Sequence, residues 1–234
     1  MANHSKHVNQ KHVVVLSGAG MSEESGLKTF RDSGGLWEGR KVEGVATPEA
    51  WDADPTGVLD FYNQLRRQLY QVESNPGHLA IAQLEARYRV SVLTQNVDNL
   101  HERAGSSQVI HLHGELDFAR STKDESLLYP LLGKDIHLGD TCELGSQLRP
   151  HIVWFGENVP EMERAIALTE TADIVIVVGT SCFVHPAARL VTYAPSKAKR
   201  YLINPEIPAH FAPEGFTCIQ EKSGVALPKL IEQL

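Results

Sequence analysis

The 234 residues carry 29 acidic and 22 basic side chains, a formal net charge of −7, the wrong sign for gripping a phosphate backbone without a basic stripe, and the sequence shows none. No apolar run approaches the roughly 20 residues of a membrane helix, and the polar, His-rich start (His4, His7, His12) lacks the apolar core of a signal peptide. Three widely spaced cysteines, Cys142, Cys182 and Cys218, make no disulfide framework, so neither nucleic acid nor membrane is expected as a partner, a cytoplasmic location is expected, and the oligomeric state is left open.

Val13-Val14-Val15-Leu16 is an apolar, β-branched run of the kind that forms a strand buried on both faces. It leads into Gly18-Ala19-Gly20, with Ser22 as a candidate helix cap and Ser25-Gly26 closing a short turn. Strand, glycines and helix start is the order in which backbone N–H groups face a phosphate. The third glycine of the dinucleotide fingerprint is replaced by Glu23, however, so the ordinary G-x-G-x-x-G motif fails, and two glycines alone read equally well as a tight turn.

Further along, Val58, Phe61, Tyr62, Leu65 and Leu69 recur at helical spacing. Asn75-Pro76-Gly77 should end that helix and begin another near His78. Strand-like runs return at 90–94, 109–112, 173–178 and 201–204 with helical stretches between them, which predicts an α/β fold: a doubly wound, Rossmann-like parallel sheet with ligands at the carboxyl ends of its strands. Residues 32–74 and 117–159 break the alternation and read as a smaller inserted lobe of one domain spanning 1–234, whose core is 12–31, 75–116 and 160–234. The part 117–150 is polar and loop-like, punctuated by Gly133, Gly139 and Gly145.

Four strings follow the first glycine loop in order: Thr94-Gln95-Asn96-Val97-Asp98-Asn99-Leu100-His101, Val109-Ile110-His111-Leu112-His113-Gly114-Glu115, Val153-Trp154-Phe155-Gly156-Glu157 and Val178-Gly179-Thr180-Ser181. Together with that loop they resemble the sirtuin family of NAD-dependent protein deacylases, over about residues 13–204. The resemblance implies NAD as the cofactor and acyl-lysine proteins as partners. The expected reaction is attack of the acyl oxygen on the nicotinamide ribose, departure of nicotinamide and release of free lysine with acyl-ADP-ribose. One departure stands out. Many sirtuins hold a structural zinc with two cysteine pairs, but 114–150 contains only Cys142 and His137, and tetrahedral zinc needs four ligands. The chain therefore looks like the bacterial type that lacks those cysteines; no metal is expected, and packing must hold the lobe.

The resemblance also assigns roles. Gly18, Ala19, Gly20, Glu24, Ser25 and Arg31 fall near the cofactor phosphates, and Phe30 covers the nicotinamide ribose. Asn96 and Asp98 fall at the nicotinamide pocket, Val97 against the carboxamide and Gln95 on the ribose, although Asp98 taken alone reads as a helix cap. Gly179, Thr180, Ser181, Asn204 and Ser223 take the adenosine side. His111 and His113, two apart on one strand, share a face; His113 aligns with the catalytic base, which an imidazole suits at neutral pH, while Gly114 admits a ligand close to the backbone and His111 reads as structural. Val153, Phe155, Gly156, Glu157 and Val184 supply the peptide groove. Members that prefer succinyl or malonyl groups carry Tyr-x-x-Arg on the small-lobe helix. Here Tyr62 is followed at +3 by Leu65, and Arg66 lies about 40° round the helix, so neutral acyl groups are expected, with Arg66 still able to lean toward the acyl end. Desuccinylation, protein ADP-ribosylation, NAD hydrolysis and a non-catalytic NAD or ADP-ribose sensor are the alternatives.

Overall fold

The structure, a computed structural model, describes residues 10–27, 36, 37, 40–180, 184–207 and 215–234. Phe30, Arg31, Ser181 and Cys182 lie outside the described residues. In chain order the elements are β1 (His12–Ser17), α1 (Gly20–Glu23), β2 (Leu36–Trp37), β3 (Arg40–Lys41), α2 (Pro48–Ala53), α3 (Pro55–Leu69), α4 (Pro76–Leu84), β4 (Arg89–Thr94), α5 (Leu100–Arg103), β5 (Val109–His111), β6 (Gly114–Ser121), β7 (Leu128–Pro130), β8 (Leu148–Ile152), α6 (Met162–Thr169), β9 (Ile174–Val178), β10 (Lys199–Ile203), β11 (Phe216–Ile219) and α7 (Ser223–Gln233).

Six strands pair in parallel in the order β11-β10-β9-β1-β4-β5. In β1, Val13 and Val15 face one core, where Ile81 and Leu84 of α4 meet Leu227 and Leu230 of α7. Val14 and Leu16 face the other, against Ala165 of α6 and Leu190 of the 3-10 turn Ala187–Tyr193. A strand covered on both sides needs no polar alternation, hence the unbroken apolar run. The chain makes α4 where Asn75 accepts from the Gly77 and His78 amides and Pro76 occupies the first turn.

Stretch 117–150 is not a loop. It belongs to a second sheet, antiparallel, in the order β7-β6-β8, which pairs Gly114 with Ile152 and Ser121 with Leu148. Its sequence hid the strands because β6 and β8 bury Arg120 and Arg149 where an apolar residue would have signalled an inward face. Helix α3 packs Val58, Phe61, Tyr62, Leu65 and Leu69 against Leu116, Ile152 and Trp154. Arg66 corrects the expectation placed on it: its side chain is fully buried in the lobe, where Nε donates to Leu116 O (2.6 Å) and Nη1 to Asn63 Oδ1 (2.8 Å) and Lys134 O (3.2 Å). Turning toward the acyl end would strand three acceptors in a dry interior.

Charge as well as packing holds the lobe. Arg149 sends Nη1 to Glu157 Oε1 (2.7 Å) and Nη2 to Glu157 Oε2 (2.9 Å) and Ile152 O (2.8 Å), with its guanidinium 3.4 Å above the Trp154 ring. Arg120 Nη2 reaches the same carboxylate at 3.1 and 3.2 Å. Burial works to raise the Glu157 carboxyl, but hydrogen bonds from Arg149 and the Trp154 amide, together with both positive charges, outweigh it and hold the group below its ordinary value. Among the described residues no three His, Cys, Asp or Glu side chains group as metal ligands.

Removing one partner from a buried ion pair costs about 3–5 kcal/mol. Arg149→Ala is therefore expected to lower the thermal midpoint by roughly 10 °C, while EDTA leaves the wild-type midpoint unchanged. Differential scanning calorimetry checks both; a chelator-induced drop, or a shift of under about 2 °C in the variant, contradicts this account of the lobe.

Candidate active site

Loops at the carboxyl ends of four strands are knitted backbone to backbone. Gly18 N donates to Val178 O (3.1 Å), Gly20 N to Gly179 O (2.8 Å), Gly179 N to Ile203 O (3.1 Å) and Gln95 N to Ser17 O (2.9 Å). A Cβ at Gly18 would stand 2.7 Å from Thr180 Cβ, and one at Gly179, whose φ is +61°, 2.3 Å from Met21 N. Helix α1 is a single turn, and Ser22 does not cap it: the cap position is Ala19, with no side-chain bond. Ser22 Oγ instead accepts from Asn96 Nδ2 (3.0 Å) and bonds Asp98. With so short a helix, the dipole expected from the sequence contributes little.

Asn96 is held on every side. Its amide N donates to Thr94 Oγ1 (3.0 Å), which also accepts from Ser17 Oγ (3.0 Å), and Nδ2 reaches Gly18 O at 3.1 Å. Asp98 is not the cap of α5, which is Asn99 with no side-chain bond, but it accepts from Leu100 N at the start of that helix at 3.1 Å, and it lines the cleft. Burial raises its carboxyl, partly offset by Ser22 and the Leu100 amide. His113 lies past the end of β5, in the turn before β6, so it does not share a strand with His111. Its Nδ1 faces Gln95 O at 3.1 Å. A carbonyl only accepts, so Nδ1 carries the proton and Nε2 keeps the lone pair. Burial lowers the His113 pKa, and the bond to Gln95 offsets only part of this. Gly114 serves the backbone rather than a ligand: at φ +79° a Cβ would lie 2.0 Å from His151 O.

These groups wall one cleft of about 750 Å³. Gly18, Ala19, Gly20, Glu24, Gln95, Asn96, Val97, Asp98, His113, Gly179, Thr180, Asn204 and Ser223 line it, as do Tyr62, Leu65, Val153, Phe155, Gly156, Glu157 and Val184. Ser25 and Arg66 do not; Ser25 Oγ instead accepts from Asn75 Nδ2 at 3.0 Å. Two lining carboxylates are already committed. Glu24 accepts from Ser223 Oγ (2.6 Å) and Gly224 N (2.9 Å), tying the first loop to α7, and Glu157 serves the two arginines. Thr180 Oγ1 takes Gln95 Nε2 at 3.1 Å, and Asn204 Nδ2 reaches Thr180 O at 3.3 Å. The sequence reading missed Leu27, Ala46, Gln68 and Lys222 in the lining. Of these only Gln68 had a local signal, lying three residues beyond Leu65 on α3.

A parallel α/β sheet whose glycine-tight loops wall a large cleft beside a small lobe defines a protein of the nucleotide-binding doubly wound class. The Sir2 family model matches residues 18–186, and the chain belongs to the Sir2 family. It is 52% identical to a Helicobacter pylori protein named NAD-dependent protein deacylase, over 95% of this chain and 98% of that one. A protein of the same name from Bacteroides thetaiotaomicron is also 52% identical, over 84% and 86%. Among solved structures, a Sir2 homolog–NAD complex superposes with TM-score 0.86 at 37% identity, covering 96% of this chain and 90% of that one. A Sir2 protein bound to a propionylated peptide superposes with TM-score 0.78 at 29% identity, covering 96% and 94%.

Proposed function

We propose that the chain is an NAD-dependent protein-lysine deacylase whose main reaction is deacetylation. The observation that carries this reading is His113: an imidazole with its Nδ1 proton fixed by Gln95 O, lining the same cleft as Asn96, Asp98 and the glycine loop. A site that only bound nucleotide would have no use for a base there. Family membership and the names of the relatives support it.

The residues fit NAD. Gly18, Gly20 and Gly179 line the cleft with backbone from loops packed so closely that a Cβ at 18 or 179 would strike the facing loop, and Gln95, Thr180, Asn204, Lys222 and Ser223 give the adjoining wall polar groups and a cation suited to riboses and phosphates. When bound, NAD supplies the ribose carbon that receives the acyl oxygen as nicotinamide leaves. Asn96 and Asp98 hold the nicotinamide end, their orientation fixed by Gly18, Ser22 and Leu100. His113 Nε2 takes the proton of a ribose hydroxyl; because its pKa is lowered, the lone pair is free at neutral pH, and the acid limb of activity that His113 sets lies below the ordinary imidazole value. Leu65, Val97 and Trp154 keep water from the reacting groups. Residues 153–156, running on from β8 with Phe155 half exposed, and Val184 form the groove for the peptide.

The acyl end is apolar. Tyr62 Oη accepts from Trp154 Nε1 at 3.1 Å, Leu65 stands one turn away, and Arg66 is turned into the lobe. Among the described residues of α3 that line the cleft, Tyr62, Leu65 and Gln68, none is a cation that would pair with a distal carboxylate.

Two outcomes are expected. His113→Ala loses about 10²- to 10⁴-fold in deacylation rate while calorimetry shows NAD still binding; a variant that keeps more than about a tenth of wild-type activity rules His113 out as the base. In paired kinetics on one peptide, acetyl-lysine is preferred over succinyl-lysine, and Leu65→Arg raises kcat/KM for succinyl roughly 10-fold or more, the worth of a hydrogen bond to a charged group. A wild-type preference for succinyl contradicts the neutral acyl wall.

A further inference from the structure

Two histidines grip consecutive carbonyls of the loop that carries Asn96 and Asp98. His113 Nδ1 faces Gln95 O at 3.1 Å, and His111 Nδ1 faces Asn96 O at 3.0 Å. Their second nitrogens meet different surroundings. His113 lines the cleft, whereas His111 Nε2 stands 2.8 Å from Glu102 Oε1, with Glu115 Oε2 at 3.9 Å. The His111 side chain is 7% exposed, so water cannot readily stand in for either partner. A carbonyl and a carboxylate are both acceptors, and a neutral imidazole has one N–H. Neutral His111 would therefore point a lone pair at an oxygen in either tautomer. The Glu102 side chain is 39% exposed and keeps its contact with solvent.

We propose that His111 is held as an imidazolium, both N–H groups donating, and that this charged bridge from Glu102 to the Asn96 carbonyl makes it a positioning residue for NAD binding. It rests on the NAD reading of the cleft. The bridge acts through Asn96, whose side chain is in turn bound to Gly18 and Ser22, so it fixes the loop at the end opposite the glycines. The groups facing His111 agree in sign. Glu102 of α5, Glu115 of β6 and Asp98 of the loop are carboxylates, while His101 of α5 and His151 of β8 are themselves driven toward the neutral form by burial. Burial works to lower the pKa of His111, but the hydrogen bond and charge of Glu102, the charge of Glu115 and the Asn96 carbonyl outweigh it and raise the value. As pH climbs through that raised value one N–H is lost and the bridge opens. His113 works without its extra proton and His111 with it, so the two histidines govern opposite limbs of one pH profile.

The test begins with ¹⁵N-histidine ring spectra of the full chain at neutral pH, His111 being assigned as the signal missing from His111→Gln. Both its nitrogens are expected in the protonated range; a neutral tautomer overturns the bridge. NAD affinity is then followed by calorimetry from neutral to about pH 9. Wild-type affinity should fall with rising pH, His111→Gln should bind roughly tenfold more weakly at neutral pH without that fall, and Glu102→Gln, altered outside the cleft, should shift the fall to lower pH. A defect that only loosened the fold would not move the midpoint. If Glu102→Gln leaves it in place, or His111→Gln binds like wild type throughout, the positioning role is wrong. Absence of NAD binding by wild type at any pH overturns the NAD reading and the positioning role with it, while the ring spectra decide the bridge independently.

Discussion

A Cβ at Gly18 would come within 2.7 Å of Thr180, and one at Gly179 within 2.3 Å of Met21 N. That contact between the loops after β1 and β9 governs the site. It lets Gly20 N reach Gly179 O, brings Thr180 under Gln95, and leaves Gly18 O where Asn96 can donate to it. From Asn96 the chain of bonds runs to Ser22, Asp98 and the first residue of α5, Leu100. Any side chain at Gly18 would push two strand-end loops apart and misplace groups that have no contact with the substituted residue.

The small lobe meets a different demand, fixing loops and short strands around its apolar core. Its solution is buried guanidinium. Arg66 ties α3 to the backbone at Leu116 and Lys134, and Arg120 and Arg149 converge on Glu157, which lines the cleft. Buried ion pairs are weak sources of net stability but severe once one partner is lost, so this arrangement fixes position more than it adds free energy. It also keeps these cations out of the cleft, whose wall on α3 carries Tyr62 and Leu65.

The parallel sheet was legible because strands buried on both faces read as unbroken Val, Ile and Leu runs, with Val13 to Leu16 the clearest. Most of the cleft was legible because its residues fall in contiguous strings at strand ends, where α/β sheets bind ligands. What escaped reading depends on partners distant in sequence. Ser22 resembles a cap until Asn96 and Asp98 are beside it. Arg66 resembles a displaced acid-reading residue until Leu116 and Lys134 claim it, and Gly114 resembles a ligand site until His151 O arrives. The β6–β8 sheet was hidden because two of its buried positions hold arginines, Arg120 and Arg149, which break the apolar pattern of Leu116, Ala119 and Ile152. His111 shows the same limit: nothing local in His-Leu-His announces that one ring faces two acceptors and the other only one.

The central claim is that this cleft transfers an acyl group from lysine to the ribose of NAD. Mass spectrometry of the products formed from NAD and an acetyl-lysine peptide tests it most directly. The account predicts free peptide, nicotinamide and acetyl-ADP-ribose in equal amounts. Plain ADP-ribose with the peptide still acetylated, or a protein heavier by an ADP-ribosyl group, would contradict it.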